Sequence, residues 1–158
     1  MASSLRTRSA IIALILGAMS PARAADAFYL GSWKFTSAVV APWADPAVRQ
    51  PDTTERDSLL GKMVAIKPEA ITGPSDFNCK HPKYALKEYP PDFLFQGAFG
   101  EMHDQDHSVD PAKLAAALGF KGTSFTTLET GCEFDWHFVD HATVEIGLND
   151  WVYTLKKQ

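Results

Sequence analysis

Apolar and polar residues alternate with a period of two along much of this chain, and the clearest run extends from Ser124 to Lys156. Alternation that stops at a turn signal and resumes is the mark of antiparallel strands with one buried face. Four strands are predicted here. Phe125 to Thr130 comes first, then Glu133 to Val139 with Phe134, Trp136 and Phe138 inward, then Thr143 to Leu148 with Val144, Ile146 and Leu148 inward. Asn149-Asp150 is a tight hairpin signal, after which Trp151, Tyr153 and Leu155 give the closing strand its buried face.

The same reading applied upstream predicts a strand from Gly31 to Trp43, with Trp33, Phe35, Val39 and Ala41 on one face and Ser32, Lys34 and Thr36 on the other. It ends at Pro42, which cannot donate to a ladder. A short helical turn is predicted within Asp52 to Leu60, capped by Asp52 or Thr53 and stopped by Gly61. Lys62 to Ile66 and Ala70 to Thr72 read as a hairpin joined through Lys67-Pro68-Glu69. Further strands are predicted near Lys83 to Tyr89 and over Phe93 to Phe99, the latter with its three phenylalanines on one face and Gly97 at a bend. Gly100 to Ser108 reads as a polar loop. The clearest helix follows, with Asp110 as N-cap, Pro111 in the first position and Gly119 as the stop.

These elements imply a mainly β fold, an antiparallel β-barrel or strongly curved sheet of about eight to nine strands with one or two short helices. Curling such a sheet removes the exposed edges an open one would leave. Gly31-Ser32-Trp33 at the start of the first strand, with Lys156 or Lys157 at the end of the last, resembles the lipocalin and fatty-acid-binding superfamily of small barrels. In that superfamily a basic residue at this place packs over the first tryptophan, and the resemblance implies an interior that holds an apolar ligand. The chain departs from it in lacking a threonine-aspartate-tyrosine motif and in placing its clear helix after five strands.

The N-terminus changes the compartment. Arg6 and Arg8 precede an apolar run from Ala10 to Met19, and Ala22 and Ala24 form a small-x-small cleavage pattern, so residues 1–24 read as an export signal. Its apolar core is about half the length a bilayer requires, so no membrane anchor is expected. The remaining 25–158 form one β-rich domain, expected to be periplasmic or secreted and soluble. Removing the signal takes three arginines and no acids, leaving 12 basic against 19 acidic residues and a net charge of about −7. Nucleic acid is excluded as a natural partner, whereas an apolar small molecule, a cation or a basic protein fits. Cys79 and Cys132 are the only cysteines, and in an oxidising compartment they are expected to pair.

Candidate chemistry is sparse. His103 and His107 stand four apart within a run of acids, a spacing that suits zinc or copper if the segment is helical; a solvated loop explains it equally. Glu133, Asp135 and His137 share the strand face opposite Phe134, Trp136 and Phe138, and form either an interior polar pocket or ordinary outward polarity. Trp33, Trp43, Trp136 and Trp151 supply either an aromatic ligand cavity or core filling. With no nucleophile elbow, phosphate loop or dinucleotide fingerprint, catalysis is not indicated. The function expected is non-enzymatic binding of a small apolar ligand; the alternatives are a protein-interaction module, such as an inhibitor of a basic hydrolase, or a histidine-based metal binder.

Overall fold

The structure, a computed structural model, describes residues 27–158. The expected signal segment and its cleavage point lie outside the described residues. The first strand, β1 (Gly31–Val40), is followed by α1 (Thr53–Leu59), β2 (Met63–Lys67), β3 (Ala70–Thr72), β4 (Cys79–Lys80) and β5 (Ala85–Tyr89). Then come α2 (Ala98–Gln105), α3 (Pro111–Ala117), β6 (Phe125–Glu129), β7 (Trp136–Asp140), β8 (Thr143–Leu148) and β9 (Trp151–Lys157), with 3-10 turns at Ser75–Phe77 and Pro91–Phe93. The nine strands form one antiparallel sheet in the order β4-β3-β2-β1-β9-β8-β7-β6-β5. It curls into a half-barrel, with first and last strands paired at its centre. The outer strands β4 and β5, consecutive in the chain, are not paired with each other.

The concave side holds the main core. Trp33, Phe35, Val64, Ile66, Leu128, Trp136, Val144, Ile146, Tyr153 and Leu155 are all buried there, as the alternation predicts. The expectation for Val39 needs correction. The β1–β9 register runs from Phe35↔Leu155 to Ser37↔Thr154, so Thr36 is an inserted bulge residue. One extra residue reverses the side-chain alternation beyond it. Ala38 therefore packs inward, while Val39 is 49% exposed. Lys157, opposite Trp33, lies with its Nζ 5.7 Å over the indole and donates to the Phe28 carbonyl.

A second core lies on the convex face. Leu94, Phe95, Phe99, Ala115, Phe120 and Phe125 pack with Val152 to seat α2 and α3 outside the sheet. Here the predicted strand over Phe93 to Phe99 is not formed, and of the polar loop expected over 100–108 only 106–108 is loop, the rest being helix. The chain makes the Pro91–Phe93 turn, then three successive left-handed residues, Phe95 (φ 52°), Gln96 (φ 56°) and Gly97 (φ 88°), and then α2. Phe95 and Phe99, four apart, are both buried by this winding, whereas Phe93 is left 57% exposed. An extended segment would have put all three phenylalanines on one face with only a narrow sheet edge to cover them. Among the described residues the sheet is accompanied by three short α-helices, one more than the upper expectation. The predicted caps hold elsewhere, with Asp52 accepting from Thr54 and Glu55 amides and Asp110 from Ala112 and Lys113 amides.

Cys79 and Cys132 form the expected disulfide, with Cα atoms 6.2 Å apart. It ties β4 to the loop between β6 and β7, across the side where the two outer strands remain unpaired. In the same region the Lys83 amide donates to the Thr130 carbonyl, and the Tyr84 hydroxyl to the Lys67 carbonyl.

Candidate functional site on the convex face

The face of β7 opposite Trp136 and Phe138 points away from the main core, yet its histidine is not in water. His137 is only 1% exposed, because the Leu94–Gly97 turn lies directly over it. The Phe95 amide donates to His137 Nε2 at 3.0 Å. An acceptor Nε2 in a neutral ring places the proton on Nδ1, which donates to Thr127 Oγ1 at 2.8 Å. Burial holds the imidazole neutral, with its pKa pushed down to about 3. The ring of Phe95 stands edge-on to that of His137, 4.9 Å between centroids.

His137 belongs to a polar row laid across the strands by register: Thr127↔His137, His137↔Glu145 and Glu145↔Thr154. Glu145 is 4% exposed, and the Thr154 hydroxyl donates to its carboxyl oxygens at 3.0 and 3.3 Å. Desolvation dominates there and pushes its pKa up to about 8. Gly147 follows two residues later on the same face. A methyl group at Gly147 would come within 3.0 Å of Phe95 and of Trp43, so the residue forms the floor on which the turn sits.

At the rim of this layer, polar groups reach solvent. Gln96 Nε2 donates to Asp135 Oδ2 at 3.4 Å, and Asp135 is partly buried, with its pKa raised first by desolvation and then by the charge of Glu129. Glu129 accepts from the Tyr89 hydroxyl and pairs with Lys87 Nζ at 2.9 Å, contacts that hold its own pKa down. Tyr89 in turn stacks on exposed Phe93, with ring planes 6° apart and centroids at 5.9 Å. Phe93 lines an open cleft of ≈ 300 Å³ with Asp92, Gly97, Gly100, Glu101, His103 and Asp104. Aromatic rings, five carboxylates and a rigid turn thus meet on one surface, an arrangement suited to cationic side chains.

The remaining sequence candidates lie elsewhere. Trp33, Trp136 and Trp151 are 0%, 1% and 5% exposed within the main core, with Trp33 Nε1 donating to the Tyr29 carbonyl and Trp151 Nε1 to the Asp52 carbonyl. The void that reaches inward past the disulfide, beside Phe77, Phe134 and Trp136, measures only ≈ 10 Å³. Glu133 is exposed in the adjoining outer cleft of ≈ 430 Å³, shared with Asp76, Asn78, Phe134, Leu148 and the disulfide. Glu133, Asp135 and His137 thus lie at three places: the first at the outer cleft, the second at the rim of the convex site and the third at its buried base.

His103, in α2, and His107, in the turn just after it, lie with ring centroids 5.3 Å apart, so the pair is not spaced along one helix face. His103 Nδ1 donates to the Val109 carbonyl at 2.7 Å, leaving Nε2 for a ligand. Among the described residues, no three or more His, Cys, Asp or Glu side chains are grouped so as to hold a metal ion. Sequence reasoning passed over Phe93, Gln96, Glu129 and Glu145. Gly97, free to adopt left-handed backbone, soon after Pro90-Pro91-Asp92, was the available signal for a turn in place of a strand.

No family model matches the chain, nor does any curated protein or solved structure.

Proposed function

We propose that this is an exported, non-enzymatic binding protein that recognises a basic segment of another protein, as an inhibitor of a cationic hydrolase would. The observation that carries this reading is Phe93, 57% exposed and stacked on Tyr89, in a cleft lined by Asp92, Glu101 and Asp104. A large exposed aromatic braced against a second ring can anchor an interface once a partner covers it, and a carboxylate rim speeds encounter with a positive partner. The experiment is a calorimetric titration of the mature protein with a deca-arginine peptide, followed by affinity capture from periplasmic extract. Binding that weakens with salt and falls at least about tenfold in Phe93→Ala is the expected result. Equal binding by wild type and Phe93→Ala would overturn the reading.

A second reading concerns a small amphipathic molecule. It is favoured by the ≈ 430 Å³ cleft beside the disulfide, whose apolar surface is Phe134 and Leu148 and whose acids are Asp76 and Glu133. That volume lies in the range of small-ligand sites. A fluorescent cationic amphiphile is expected to bind saturably there and to lose affinity in Leu148→Glu; binding indifferent to that substitution excludes this cleft.

A further inference from the structure

Three features of the Leu94–Gly97 turn call for one explanation. Phe95 and Gln96 adopt left-handed backbone at φ 52° and 56°, a conformation that is unfavourable for a residue bearing a Cβ. The turn precedes α2 with Gly97 as N-cap, and that cap makes no side-chain hydrogen bond. And the Phe95 amide, which faces the sheet, is met by a side chain from 42 residues away instead of by backbone. The turn closes on itself where the Gly97 and Ala98 amides donate to the Leu94 and Phe95 carbonyls, but the Phe95 amide has no partner within it, and the atom placed to meet that amide is His137 Nε2. Beneath, Thr127 Oγ1 takes the Nδ1 proton and so keeps Nε2 an acceptor. Gly147 gives Phe95 the room to settle beside the imidazole.

Resting on the reading of the Phe93 surface given above, we propose that His137 is its positioning residue, a buried acceptor that latches the left-handed Phe95–Gln96–Gly97 turn. Latched, the turn fixes Phe93 on one side against Tyr89 and the start of α2 on the other, so the aromatic and the carboxylates of the cleft are ordered before a partner arrives. Preordering of this kind lowers the cost of association without adding a contact. The histidine touches no partner itself; it acts through the Phe95 amide.

Glutamine and asparagine separate this role from general core filling. The amide oxygen of glutamine at position 137 reaches the place of Nε2, whereas that of asparagine reaches only the place of Nδ1. Amide exchange and ring NOEs are measured by NMR on the mature protein. In His137→Gln the Phe95 amide is expected to stay protected and the Tyr89–Phe93 ring NOE to persist. In His137→Asn, Phe95 exchange is expected to accelerate at least about tenfold and that NOE to vanish, with the amides of β1, β8 and β9 still protected.

Unchanged Phe95 exchange in His137→Asn, or equal loss in both variants, overturns the latch. Should His137→Asn not fold, Thr127→Val serves: it keeps the imidazole but removes the group that fixes its tautomer, and unaltered Phe95 protection there likewise counts against the proposal. The deca-arginine peptide separates the two levels. If Phe93→Ala weakens peptide binding while His137→Asn, though unlatched, does not, the positioning role falls and the binding surface stands. If Phe93→Ala has no effect, the surface falls and the latch is decided by exchange and NOE alone.

Discussion

Two buried side chains on the convex face set how stability changes with pH. His137 has its pKa lowered from 6.5 to about 3, so the folded state excludes a proton that the unfolded chain binds. Its contribution is complete above pH 6.5 and is lost as pH falls towards 3. Glu145 is the opposite case, raised from 4.5 to about 8: its proton stays on in the folded state, so stability is complete below pH 4.5 and is lost as pH rises towards 8. Each slope approaches about 1.4 kcal/mol per pH unit where a full proton separates the two states. Between pH 4.5 and 6.5 the two oppose each other, so stability is expected to plateau there and decline on both sides. Urea denaturation from pH 4 to 9 tests this. Glu145→Gln, which keeps an oxygen for the Thr154 hydroxyl, is expected to remove the alkaline decline and to be more stable than wild type at pH 8. A variant that declines in parallel with wild type would show that Glu145 is ionised throughout. The two residues were legible in the sequence only as alternating polar positions. That His137 is buried depends on what covers it, and the cover is the Leu94–Gly97 turn, far from it in the chain.

Among the elements, the strands and caps were the most legible part of the chain. The hairpin of β2 and β3 and the four strands β6 to β9 follow from period-two alternation closed by short turns, and α1 and α3 from Asp52 and Asp110 at their N-caps. α2 was not legible. Its apolar residues Phe95 and Phe99 fit a strand as well as a helix over so short a span, and the decision fell to the left-handed turn before it, which the sheet below stabilises. The bulge at Thr36 was missed for a similar reason: an inserted residue leaves no mark in composition, only in the register against β9. The disulfide joins elements that pairing leaves apart. With its cysteines 53 positions apart, it constrains the unfolded chain by roughly 4 kcal/mol on the entropic model. Cys79→Ser/Cys132→Ser is therefore expected to lose several kcal/mol in urea denaturation while keeping its sheet signal in far-UV circular dichroism. An unchanged midpoint would mean that the contacts of Lys83 and Tyr84 already hold this side.

For the whole molecule, the amino-acid sequence by itself determined the material of the fold: a β-rich domain with a buried aromatic face, two paired cysteines and an acidic balance. Periodicity and turn chemistry act between near neighbours, so they are readable one stretch at a time. It also singled out the Glu133-Asp135-His137 strand face as a candidate and posed its orientation as inward or outward. Tertiary structure gave a third answer, since that face is outward from the half-barrel yet covered at His137 by a second layer. It decided too that the space inside the curl is taken by Trp33, Trp136 and Tyr153, and that open volume lies on the surface among carboxylates. These outcomes depend on contacts between residues distant in the chain, His137 with Phe95 and Asp135 with Gln96, and on the volumes left once all side chains are packed. Neither quantity has a local pattern in the sequence.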